Sequence, residues 1–176
     1  MLHNIAFIGG IHGVGKSTVC NKICKELDLH YLAASDLINW KKISENINNK
    51  KVENISTTQD LLIIGLSNTI KKNKSYLLDG HYCLLNGKNE IINVPLNTFE
   101  KIKAVSLNLI IGNIEEIKDR LEDRDNRVYD LDLLNRMQES ELYYAKKLSK
   151  TLGITLNTGT VNDYSEIIIS LSKIFH

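Results

Sequence analysis

Apolar residues in this chain gather into short runs, and these alternate with longer stretches where they recur every three or four positions. Asn4–Gly9 is a short run bounded by glycine and reads as a buried strand. Lys16–Leu27 has helical spacing, with Val19, Cys20, Ile23, Cys24 and Leu27 on one stripe. His30–Ala34 is a second strand, and Ser35 followed by Asp36 predicts the N-cap of a helix running to about Lys42. Asn46–Asn54 is polar and rich in Asn and Lys, the composition of a mobile surface segment. Thr57, Thr58 and Asp60 open a helix whose stripe is Leu61, Leu62, Gly65, Leu66 and Ile70. Ser75–Leu78 is a third strand and ends in Asp79-Gly80. Tyr82–Val94 reads as a hairpin around Asn86-Gly87, a pair suited to a two-residue turn with both φ angles positive. Ala104–Ile111 is a fourth strand, followed by helices over Asn113–Arg124 and Leu131–Thr151. Ile154–Leu156 is the last strand, and a closing helix follows Asn162-Asp163. Such alternation predicts an α/β domain of three layers, a parallel sheet with helices on both faces.

Composition narrows this picture without redirecting it. With 176 residues, 43% hydrophobic and 24% charged, the chain has enough apolar surface for one core. One proline and no repeat or low-complexity linker predict a single domain over 1–176. A net charge of +1 disfavours nucleic acid or an anionic membrane as a partner, though a local arginine cluster could still bind phosphate. The N-terminus carries no signal-peptide pattern, and the apolar runs are too short to span a membrane. Three cysteines without a metal-ligand pattern suit a reducing, cytoplasmic setting, with Cys20 and Cys24 expected to be small core residues.

Three elements carry candidate chemistry. Gly10-Ile11-His12-Gly13-Val14-Gly15-Lys16-Ser17 matches GxxxxGK[ST] in full, with Thr18 next. At ordinary residue frequencies, a chance match occurs in roughly one chain in 200 of this length. It also begins where a strand ends and finishes where a helix begins, the context the chemistry needs. There the backbone N–H groups of a glycine-rich turn, at a helix N-terminus, surround a β-phosphate of ATP. Lys16 would reach the β- and γ-phosphates and Ser17 would coordinate Mg²⁺. His12 occupies a variable position of the motif and is assigned no role. Asp79, at the C-terminal end of a buried strand, is placed to hold a Mg²⁺-bound water or to orient an acceptor. Arg120, Arg124 and Arg127 run off a helix end into a mixed-charge loop, with Arg136 on the next helix. Arginine forks bind phosphate bidentately and neutralise the charge on a transferring phosphoryl group.

Taken together and in this order, these motifs resemble the nucleoside monophosphate kinase branch of P-loop proteins, nearest the short-lid, archaeal-type adenylate kinases. The resemblance implies a five-stranded sheet of order 2-3-1-4-5 and a lid, about 120–131, that closes over ATP. It also implies that Thr158-Gly159, within Asn157–Thr160, flank the adenine, and that Ser35, Asp36 and Gln59 line the acceptor side. Two departures concern the acceptor. The common DGFPR segment is Asp79-Gly80-His81-Tyr82-Cys83 here, so Cys83 stands where an arginine would grip a phosphate. After Asp36 the chain offers Lys41 and Lys42 instead of the usual arginine. His81 and Tyr82 supply neutral hydrogen-bonding and ring groups, which suit an acceptor other than AMP.

The function expected is Mg·ATP-dependent phosphoryl transfer to a nucleoside monophosphate or related small acceptor. A kinase for a nucleic-acid end or a non-nucleotide hydroxyl is a second reading. A third is an ATP-hydrolysing switch, whose hairpin and Asn-rich segment would face a protein partner. The arginine cluster favours a kinase, because a switch commonly takes its arginine from a partner.

Overall fold

The computed structural model describes residues 4–38 and 55–176. The parallel sheet contains β1 (Ile5–Gly9), β2 (His30–Ala33), β3 (Tyr76–Asp79), β6 (Ser106–Ile110) and β7 (Leu156–Gly159). Their order is β2-β3-β1-β6-β7, and a separate antiparallel pair is formed by β4 (Cys83–Leu85) and β5 (Ile91–Asn93). With the hairpin strands left out of the count this is 2-3-1-4-5, a doubly wound sheet with its first strand in the middle. β1 is buried along its whole length because alternate residues enter two different cores. Ile5 and Phe7 join Leu78, Leu107 and Leu109 on one face, while Ala6 and Ile8 join Leu77 and Ile110 on the other. That is why its sequence is an unbroken apolar run rather than an alternating one.

Helices α1 (Lys16–Glu26), α2 (Ala34–Leu37), α3 (Ile55–Thr69), α4 (Leu96–Ile102), α5 (Ile114–Asp125), α6 (Leu131–Leu152) and α7 (Ser165–Phe175) cover the sheet. The Cys20 and Cys24 thiols are buried with Val19 and Ile23 on the face of α1 that meets the sheet. Two helix starts are written in the sequence. Asn113 caps α5 by accepting from the N–H groups of Glu115 and Glu116, and Asp130 caps α6 by accepting from that of Leu133. Left-handed residues end both, Asn126 after α5 and Gly153 after α6.

Several sequence expectations are corrected in detail. Ser35 is not an N-cap, because α2 begins at Ala34 after Ala33 and makes no side-chain capping bond. Lys41, Lys42 and the Asn46–Asn54 segment lie outside the described residues. The hairpin forms, but Asn86-Gly87 is not a tight two-residue turn. Asn86 pairs with Glu90 across a longer loop, its side-chain oxygen accepts from Lys88 and Glu90, and the left-handed residue is Asn89. Helix α4 was not expected, since its apolar positions, Phe99 and Ile102, are too few to show a period. The last strand begins at Leu156 rather than Ile154, which places Asn157, Thr158 and Gly159 inside β7.

Candidate functional site

The phosphate-binding motif occupies the β1–α1 turn, at the C-terminal edge of the sheet. Gly10, Gly13 and Gly15 have φ angles of 143°, 78° and 98°, which L side chains rarely adopt. Space adds to this restriction, since a Cβ on Gly10 would stand 2.6 Å from the Ile110 carbonyl oxygen. Val14 points the other way and is a core residue, 1% exposed, so its contribution to the loop is its backbone. Ser17 and Thr18 lie at the exposed start of α1.

Lys16 is buried and held at both ends of its reach. Its Nζ donates to the Gly10 carbonyl at 3.0 Å and lies 3.4 Å from Asp79 Oδ1. Register explains the second contact, because Ile8 of β1 pairs with Asp79 of β3. Tyr31, reached from β2, donates its hydroxyl to Asp79 Oδ2 at 2.9 Å and also bonds the Ser17 side chain. Burial and the Asp79 charge hold the Tyr31 hydroxyl protonated, with its pKa well raised. Sequence reading missed Tyr31, which looked like one more apolar strand residue.

Glu141 was missed as well. It projects from α6 into the core with no exposure at all, and its Oε1 accepts from the backbone N–H groups of Tyr82 at 2.8 Å and Cys83 at 2.9 Å. His81 Nδ1 is 3.8 Å from the same oxygen, the Gly10 N–H also faces the carboxyl, and Oε2 has no partner of good hydrogen-bond geometry among the described residues. Burial pushes the Glu141 carboxyl up to about 7, against the pull of the Cys83 N–H and the Lys16 charge. The available signal was positional: Leu134, Met137, Tyr144 and Leu148 mark the buried stripe of α6, and an acid at 141 falls on it.

Two clefts meet at this point. The first, about 360 Å³, shares Lys16, Ser17, Tyr31 and Asp79 with the phosphate loop. It continues past Ser35, Gln59 and His81 to apolar walls that include Phe7 and Phe99. The second, about 320 Å³, lies between the hairpin and the segment after α5, lined by Leu84, Leu121, Arg127 and Tyr129 among others. His12 borders both, its ring 4.3 Å from that of His81, so this variable motif position does face the site. Cys83 lines only the second cleft, with its thiol donating to Asn93 Oδ1 at 3.3 Å and pushed up to about 12 by burial and Glu141.

The arginines are placed unequally. Arg120 lies beside the motif, its Nη1 3.7 Å from where a Cβ on Gly15 would sit, and its Nε donates to the Glu116 carbonyl. Arg124 forks onto the Asp125 carboxylate at 2.6 and 2.7 Å, and Tyr129 donates to the same carboxylate. Arg127 donates to the Tyr129 hydroxyl at 2.7 Å and lies over the Tyr129 ring. Arg136 is exposed on α6 and lines neither cleft. Asp36 is exposed and lines neither, and Thr158 and Gly159, half-buried in β7, also line neither. The loop that does approach the motif follows β7, where Val161, two residues after Gly159, would meet a Cβ on Gly15 at 2.9 Å.

No cluster of three or more His, Cys, Asp or Glu side chains exists among the described residues to hold a metal by itself. The site does offer an all-oxygen pair, the Ser17 hydroxyl and the Asp79 carboxylate. That fits Mg²⁺, which takes one or two protein oxygens and completes its shell with phosphate and water.

A family model described as an AAA domain matches residues 9–138. Among solved structures, a gluconokinase from Sinorhizobium meliloti 1021 is similar over 99% of this chain and 91% of its own, with a TM-score of 0.57. Their sequences are 13% identical, so the likeness concerns the fold. No curated protein matches the sequence. No helix among the described residues is long and apolar enough to cross a membrane.

Proposed function

We propose that this chain, which belongs to the AAA domain family, is a Mg·ATP-dependent phosphotransferase that moves the γ-phosphoryl group to a small acceptor related to nucleosides or their monophosphates. The observation that carries this reading is the sharing of Lys16, Ser17 and Asp79 between the phosphate loop and the larger cleft. A molecule seated in that cleft has its nucleophile beside the position of the γ-phosphate. Holding two reactants in one frame supplies much of a kinase's rate enhancement. The structural similarity to a gluconokinase, a small-molecule kinase by name, agrees with it.

In this reading the N–H groups of the loop from Gly10 to Lys16 receive the β-phosphate, and Lys16 exchanges its Gly10 contact for phosphate oxygens. Ser17 and Asp79 would hold Mg²⁺, which neutralises charge between the β- and γ-phosphates when bound. Arg120, already beside Gly15, meets the nucleotide first, and Arg124 and Arg127 follow as the lid closes. The adenine lies against the loop from Thr160 to Val161 rather than the Thr158-Gly159 pair of β7. Gln59, Ser35 and His81 face the acceptor.

Lys16→Ala tests the assignment. Loss of a charged contact to the transferring group raises the barrier by about 3–4 kcal/mol, so ATP turnover should fall 100-fold or more while circular dichroism is unchanged. Turnover within about threefold of wild type would sink the assignment.

A further inference from the structure

Resting on that phosphotransferase reading, we infer that the acceptor is an uncharged ring compound with a free hydroxyl, of nucleoside type, and not a nucleoside monophosphate. A monophosphate brings nearly two negative charges into the cleft and needs a fixed cationic grip. Among the described residues lining the larger cleft, Lys16 is the only lysine or arginine. It is already committed, to Gly10 and Asp79 in this structure and to ATP phosphates in the reaction. Arg127 lines the other cleft, and position 83 both lacks an arginine and turns away, its N–H on Glu141. The nearest carboxylate at the phosphate end, Asp79, would repel a second dianion.

The far end of the cleft is built of uncharged side chains. Phe7 and Phe99 meet edge to face at 5.2 Å and, with Leu62, form walls suited to a flat ring. Gln59 lines the same space, is 7% exposed, and makes no side-chain hydrogen bond among the described residues. Its amide opens onto the cleft, and a ligand edge presenting both a donor and an acceptor would pair with it. A nucleobase has such an edge, and its sugar supplies the hydroxyl. In the reaction the hydroxyl oxygen bonds to the γ-phosphorus as the bond to the β–γ bridging oxygen breaks. ADP leaves with that electron pair, and the hydroxyl proton is released to water.

Charge balance gives a readout that separates the two acceptor classes. Above the second phosphate pKa of about 6, phosphorylating a hydroxyl releases one proton per ADP, whereas phosphorylating a phosphate monoester releases none. The experiment measures kcat/KM at fixed Mg·ATP for each nucleoside, its 5′-monophosphate and a sugar acid, with proton release followed in a pH-stat. Nucleosides should lead their monophosphates by about ten- to a hundredfold, with one proton released per ADP. Monophosphates or the sugar acid equal to or ahead of the nucleosides overturn the inference and leave the phosphotransferase reading standing. If ATP is consumed and the label appears only as inorganic phosphate, the phosphotransferase reading itself falls, and the inference with it. Gln59→Arg, checked for folding by circular dichroism, should narrow the nucleoside preference at least tenfold by adding the missing cation. A preference unchanged in that variant overturns the assignment of Gln59 to the acceptor, and the wild-type series decides the acceptor class whether or not the variant folds.

Discussion

The phosphate loop and the arginine segment after α5 carry opposite kinds of order. Around the loop, polar contacts bridge distant parts of the chain: Lys16 to Asp79, Tyr31 to Asp79, and Glu141 to Tyr82 and Cys83. These groups are buried or half-buried and fixed by sheet register and helix packing, so they are in place before any ligand arrives. The arginine segment is ordered by its own neighbours, Arg124 by Asp125 and Arg127 by Tyr129, with both arginines exposed. Such short-range, solvent-screened pairs contribute little to stability and are readily exchanged. A phosphate can replace the Asp125 carboxylate on Arg124 without disturbing the core. Under the proposed function, the molecule separates a preorganised anchor from an arginine segment that would reorganise to grip the nucleotide.

The sharpest way to break this contrast is at Glu141. Glu141→Ala leaves two buried N–H groups without an acceptor and opens a cavity, and should cost on the order of 2–4 kcal/mol in urea melts. Glu141→Gln keeps an acceptor oxygen for both and should remain within about 1 kcal/mol of wild type at or below pH 4.5, where the acid is neutral in both states. The sign of the pH effect follows from the raised pKa. Below the ordinary carboxyl value of 4.5 both folded and unfolded states are protonated, and the buried acid carries no penalty. As pH rises towards about 7, the unfolded chain gains by ionising and the folded one does not, so stability falls by a contribution on the order of 3 kcal/mol. Lys16, His81 and Cys83 also face this carboxyl, and the difference between wild type and Glu141→Gln isolates its share. A Gln variant with the same decline between pH 4.5 and 7 would remove Glu141 from the anchor.

A smaller effect is expected on the other side of the comparison. Arg124→Ala should leave stability unchanged and lower kcat about tenfold or more, with KM for ATP within about threefold. A rise in KM alone would reduce the segment to ground-state binding.

The two regions also differ in how well they could be read in advance. The phosphate loop is written in consecutive residues whose types are dictated by backbone conformation, so Gly10, Gly15, Lys16 and Ser17 stood out at once. Asp79 was visible because a strand end and a turn coincide there. Tyr31 and Glu141 were not, since their roles arise from register and helix packing between residues 48 and 59 positions apart from their partners. The start of the last strand and the N-cap assigned to Ser35 were misplaced by one or two residues at element ends, where local pattern is weakest. The arginines were found as residue types, but their present partners, an adjacent acid and a tyrosine two positions on, could have been chosen in several ways on an exposed segment.

The central claim, transfer rather than hydrolysis, is tested most directly by following the γ-phosphoryl group. Enzyme is mixed with γ-labelled Mg·ATP in a single turnover, with and without a panel of nucleosides and monophosphates, and the products are separated. The label should appear on an acceptor, faster than any release of inorganic phosphate and at a rate that rises with acceptor concentration to saturation. Label recovered only as inorganic phosphate, at a rate indifferent to every acceptor, would contradict the account and make the chain an ATP-hydrolysing switch.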